Sequence, residues 1–243
     1  MGAAVPHRDL TGIRDRLSGV PDPDLPETRG DSSAAVPGNW GGDRLIGELL
    51  RRGIDGAGPW HPARRVAEEH LAEAEGDVEL AVRRLTTTHV RLAASSGLLT
   101  SLGGAATMLV TAPAGVTGLY LVCTRLAASV AHARGHDLDD PVVRTAILLC
   151  VLGPDGSELA ERTGLDLQGV SLLTGLRRLP PEVREQLDHR IAYRLASRAG
   201  RRGVLNLTKL IPLVAGPIGA GADGIAARSV ATYADVAFWT RQP

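Results

Sequence analysis

The chain is short of several residue types at once. It has two cysteines, three Trp, three Tyr and one Phe, a single lysine at Lys209, and no surplus of charge, since 27 basic residues balance 27 acidic ones. Cys123 and Cys150 both lie inside apolar segments and read as small buried hydrophobes, which excludes a disulfide framework and points to a reducing compartment. The arginine pairs at 51/52, 64/65, 83/84, 177/178 and 201/202 are scattered along the chain. Sequence-independent nucleic-acid binding needs a concentrated basic face, so that function is excluded. From Met1 to Leu25, Arg, Asp and Pro are mixed with no apolar h-region, and the expected location is therefore cytoplasmic.

What is present is apolar and helical. With 44% hydrophobic and 22% charged residues in 243, the composition is that of one globular domain. Residues 1–42 are rich in Gly, Pro, Asp and Ser, bury too little apolar area to offset the entropy of ordering, and are expected to be a disordered tail. Arg29-Gly30-Asp31 within it is a chance tripeptide. Residues 43–243 read as a helical domain. Asp43 caps a first helix, Pro62 opens a second, and Asp77 caps a third whose face is Val78, Ala81, Val82 and Leu85. Pro141 opens a helix to Leu152, which Gly153-Pro154 stops. A short helix from Ser157, an apolar stretch from Leu165 to Leu176 and an amphipathic helix from Pro181 to Arg198 follow. The pattern predicts an all-α fold, a single helical bundle with two Gly-rich apolar segments, 92–124 and 204–238, at its centre.

The first of these segments, Leu92 to Thr124, runs for 33 residues without a charged side chain. It must be covered by a core, a bilayer or a partner. A membrane hairpin is opposed by Pro113 and five glycines, and by Arg125, which would sit near mid-bilayer at about 2.5–3.5 kcal/mol. Peripheral membrane association fits better. Gly97, Ser101 and Ala105 recur at four-residue spacing, which lets helix backbones approach closely.

Beyond that run lies the acidic turn Asp137-Leu138-Asp139-Asp140. Its structural reading is an N-cap at Asp140 before a first-turn Pro141, with Arg144 one turn on as partner. His132 and His136 could join it in a metal site, but Gly135 is expected to end the helix between them, and no metal is predicted. Gly219 to Gly224 satisfies GxGxxG without the preceding strand that a dinucleotide site requires, so close helix packing is its expected use. Asp223 then becomes an interior carboxylate seeking a cation, with Arg125 and Lys209 as candidates. No serine has a nucleophile-elbow setting.

Three stretches in order resemble the EcsC family: Ser96 to Gly104 leading to Ala112-Pro113-Ala114; Gly135 to Asp140 with Val143-Arg144-Thr145 and Leu148 to Gly153; and Ile211 to Gly216 with Asp223. The resemblance implies an all-helical, membrane-associated protein; it departs from the family at Gly115, where an Asp is expected. Asp137-Leu138-Asp139-Asp140 also resembles the DxDD motif of class II terpene cyclases. That likeness implies Asp139 as a Brønsted acid, supported by Asp137 and Asp140, and Mg²⁺ only if the ligand is a diphosphate. Against it stands an aromatic content of 3%. Two readings of function follow. In the first, an EcsC-like protein binds a membrane surface or holds a lipid-like or isoprenoid ligand, with Arg125, Arg144, Asp223, Lys209 and His136 as interior polar groups. The second is an acid-catalysed isoprenoid cyclase. Docking onto a membrane transporter is a third.

Overall fold

Asp77 sets the register of the longest apolar stripe. Its Oδ1 accepts the Leu80 N–H at 2.9 Å, and the helix it caps buries Ala81, Val82, Leu85, His89 and Ala93 at helical spacing. The computed structural model describes residues 42–56, 60–102, 104–165, 172–207 and 212–239; within these it is all-α, with nine helices and no β-strand. They are α1 Gly42–Asp55, α2 Ala63–Glu73, α3 Val78–Leu102, α4 Gly104–Ala133, α5 Pro141–Leu152, α6 Pro154–Arg162, α7 Leu172–Arg178, α8 Pro181–Leu207 and α9 Pro212–Ala237. The expected tail lies, apart from Gly42, outside the described residues. Lys209 and the first part of the 165–176 stretch lie outside them too.

α5 is the centre of the bundle. Asp140 caps it by accepting the Val142 N–H at 2.9 Å, Pro141 opens it, and every residue from Val142 to Leu152 except Arg144 is buried. A helix that is apolar all round belongs inside a core. Around it pack the second half of α4, buried almost continuously from Leu119 to Ala133, and helices α6 to α9. α6 folds back on α5 at Gly156, where a Cβ would come within 2.0 Å of the Leu149 carbonyl oxygen; only glycine fits there.

Both expected central segments also reach the core, through Leu119 to Thr124 of α4 and through Ala227, Val230, Ala234 and Phe238 at the α9 end. Gly221 and Ala222 at the start of α9 are exposed, because glycine and alanine offer little area to bury, whereas the leucines and valines of α5 offer much. α8 also continues past Arg198 to Leu207, α9 is a separate helix rather than part of one 204–238 segment, and α6 begins at Pro154 rather than Ser157.

The most extensive contact between helices joins α3 and α9. Near the C-terminus of α4, Arg134 reaches Glu79 of α3 at 3.0 Å and also pairs with Asp235 of α9, while the Trp239 ring covers its guanidinium at 4.6 Å. Farther along, Gly224 of α9 lies against Val90 and Ala94 of α3. Glu79 with Asp235, then Val90 and Ala94 with Gly224, define an antiparallel pair in constant register. The Leu102 end of α3 and the Pro212 end of α9 accordingly lie at one end of the bundle, where α4 also starts, one residue after α3 stops. From Leu92 to Leu102 and from Pro212 to Ala222 neither helix carries a charged residue. That uncharged end is about eleven residues deep, roughly 16 Å at the helical rise.

Arg134 is expected to hold the opposite end together. Arg134→Met removes bonds to carboxylates on two helices, α3 and α9, although both are partly solvated and screen part of the effect. A loss of about 2 kcal/mol is expected, read as a lower urea midpoint with an unchanged m-value.

Candidate functional site

The acidic turn is a clasp on the surface. The Asp139 side chain is 63% exposed; Arg64 of α2 donates to it at 2.6 Å and Arg144 of α5 at 3.0 Å. Arg144 also donates to the Leu138 carbonyl at 2.8 Å, and Arg177 of α7 donates to Asp140 at 2.6 Å. Asp137, the most exposed of the three, accepts the Asp139 N–H at 2.9 Å and so shapes the turn. Three helices are tied together through four residues of loop.

The hydrogen bond from Arg64, with further attraction from Arg144, holds the Asp139 carboxyl below the usual carboxylate range. A Brønsted acid must keep its proton, and two guanidiniums favour its loss. The acid role expected for Asp139 is thus at odds with its surroundings, as are the supporting roles of Asp137 and Asp140. The carboxylate whose environment does favour the proton is Asp188 of α8. Burial pushes it up, with the Thr145 hydroxyl donating to it at 2.9 Å. His136 approaches the Phe238 carbonyl at 3.0 Å and packs on the Phe238 ring, while His132 faces Glu68 at 3.4 Å, so the two histidines do not share a site. Among the described residues no group of three or more His, Cys, Asp or Glu is placed to hold a metal ion.

A different polar site lies inside. Arg125 is 7% exposed, its Nη1 is buried without a hydrogen-bond partner, and the Trp60 ring lies 5.4 Å from its guanidinium carbon. Burial lowers its proton affinity, opposed by the distant charge of Glu69. The expected partner, Asp223, is half-buried on α9 and accepts no hydrogen bond from the buried Nη1 of Arg125; the other candidate cation, Lys209, lies outside the described residues. Arg125 instead belongs to the side of α4 that meets α1, α2 and α3. There Gly53 of α1 approaches so closely that a Cβ would stand 2.7 Å from the Thr124 methyl. An unpaired buried cation costs several kcal/mol, so the fold keeps this position at an expense.

His89 of α3 lies within reach of the Arg125 charge. It is 2% exposed and its Nδ1 lies 2.8 Å from the Leu85 carbonyl; a carbonyl only accepts, so Nδ1 carries the proton. Burial lowers the imidazole to about 4, with the charge of Arg125 acting in the same direction. His89 is neutral at physiological pH. Neither it nor Trp60 was singled out by motif, yet both were within reach of pattern: His89 follows Leu85 by four on the apolar stripe, and Trp60 immediately precedes a helix.

A small cavity of about 120 Å³ opens between α4, the α5–α6 junction, α8 and α9, lined among others by Tyr120, Cys123, Leu152, Arg198 and Ser229. Arg198 is committed there, donating to the Leu152 carbonyl at 2.7 Å and pairing with Asp155 at 2.8 Å. An engineered cavity of about 150 Å³ holds benzene, so this one is too small for an isoprenoid chain. Both thiols are buried, and burial pushes that of Cys150 far up, which makes it inert.

The depressed imidazole gives a pH signature. His89 binds a proton near pH 6.5 in the unfolded chain but only near pH 4 when folded, so the unfolded state holds more protons between these values and stability falls as pH falls through that window. About 3 kcal/mol is expected to be lost from pH 6.5 to below pH 4 through this group. Urea titrations at successive pH values should show that slope in the wild type and its flattening in His89→Leu.

No family model, no curated protein and no solved structure matches the chain, so the EcsC likeness rests on the motifs in its own sequence.

Proposed function

We propose that the protein is a peripheral membrane-binding helical bundle of EcsC-like character, which docks on the cytoplasmic face of the membrane through its uncharged end. The observation that carries this reading is the antiparallel register of α3 and α9, which brings two uncharged helix ends and the start of α4 to one pole of the bundle. Elsewhere the described surface is laced with ion pairs, as at Glu48, Glu69, Glu158 and Asp139. Two uncharged helix ends, each about 16 Å deep, are the part of such a molecule that loses least on leaving water.

Among the described residues no helix is long and apolar enough to cross a membrane. The chain entering α9 also carries Arg201, Arg202 and Lys209. Taking that lysine to mid-bilayer would cost about 2.5–3.5 kcal/mol. An interfacial seat, about 5–10 Å into the headgroup and acyl boundary, lets the uncharged helix ends leave water without carrying a charge to mid-bilayer. The cavity of about 120 Å³ beside Tyr120 and Arg198 is too small for the alternative ligand, an isoprenoid chain. Cyclase chemistry would need a protonated Asp139 where two arginines favour the anion.

Flotation with vesicles tests the reading. The full chain should float with vesicles containing anionic phospholipid, and Leu102→Asp, at the uncharged end, should weaken binding roughly tenfold while leaving the far-UV spectrum unchanged. A chain that stays at the bottom of the gradient with vesicles of every composition sinks the proposal.

A further inference from the structure

Among the described residues three arginines are buried to a similar degree: Arg125, Arg134 and Arg194. Arg134 has Glu79 and Asp235, and Arg194 has the Asp155 carbonyl at 3.0 Å with Glu158 at 3.6 Å. Arg125 alone of the three has no carboxylate within 4.0 Å and no acceptor for its buried Nη1. The acid whose charge reaches it, Glu69, is an exposed side chain already engaged by Arg65 at 2.8 Å and by His61 at 3.8 Å. Core packing does not account for a guanidinium placed in this way, because a methionine would fill the same volume without the charge.

The arrangement around it suits an anion arriving from outside the chain. Trp60 lies over the guanidinium, which leaves the N–H groups of its edge, the ones that grip a carboxylate or phosphate in a fork. Neutral His89 brings no competing negative charge. Trp60 is only half-buried, and it is held in place by a tight turn at Gly56, whose φ of +80° and whose approach to the Trp60 carbonyl exclude a side chain. The covering ring thus sits at the surface on a short linker between α1 and α2, whereas the charge it covers is fixed on α4.

We propose that Arg125 anchors an oxyanion-binding site closed by Trp60, which takes the carboxylate or phosphate group of a small molecule or of a lipid headgroup. The anion would supply the acceptor that the fold withholds, and Trp60 would shift against the guanidinium as it enters. The site does not depend on membrane docking, since Arg125 lies at the base of the uncharged end and faces α1 to α3.

Thermal unfolding and tryptophan emission of the full chain test this with three probes: inorganic phosphate, octanoate, and phosphatidylcholine vesicles with or without phosphatidic acid. Without ligand, Arg125→Met is expected to melt above the wild type, because an uncompensated buried charge has been removed. The wild type should gain melting temperature and shift its emission with at least one probe, a shift that Trp60→Phe abolishes; Arg125→Met should show neither response. Arg125→Lys, which keeps the charge but lacks the fork, should bind about tenfold more weakly. A response to phosphate or octanoate in solution identifies a soluble ligand, and one confined to phosphatidic acid identifies a headgroup. A wild type indifferent to all three probes, or an Arg125→Met response equal to it, overturns the proposal; should Arg125→Met fail to fold, undiminished binding by Arg125→Lys does so instead.

Discussion

The close antiparallel contact of α3 with α9 is what the rest of the molecule depends on. At Gly224 the two backbones approach with only Val90 and Ala94 between them, and at the other end Arg134 pins Glu79 and Asp235 under the Trp239 ring. Small residues permit the approach and a buried guanidinium fixes the register. From that register come the gathering of uncharged helix ends at one pole and the ion-pair knot at the other. The polarity of the bundle is a consequence of where two helices touch.

Much of this fold was legible in the sequence. Helix starts were read from Asp77, from Asp140 with Pro141 and from Pro181, because caps and first-turn prolines are local chemistry that tertiary packing leaves alone. The identity of the central helix was harder to see. The short run from Val142 to Leu152 lacks the length of the two glycine-rich segments, yet it is buried nearly all round and shares the core with them.

The candidate site was less legible, and for a different reason. Asp137, Asp139 and Asp140 attract attention as a motif, yet a motif says nothing of the arginines that converge on it from positions far away in sequence, Arg64 and Arg177 among them. Arg125 was read correctly as interior, but its neighbours were assigned by charge complementarity alone. That reasoning selected Asp223. The structure covers the guanidinium with a tryptophan ring and sets a neutral histidine within reach of its charge, a setting that only the folding of α1, α2 and α3 about α4 creates.

The knot at Arg134 also bears on how the chain reaches its native state. Arg134 and Asp235 are 101 positions apart, and Glu79 lies earlier still. A bundle of consecutive hairpins could form piece by piece as it leaves the ribosome, but here the third helix acquires its main neighbour only when the ninth has been made. Such high contact order slows the final step and leaves the apolar stripe of α3 uncovered in the meantime. During synthesis that stripe is a surface for chaperones, or for the membrane itself, to shield.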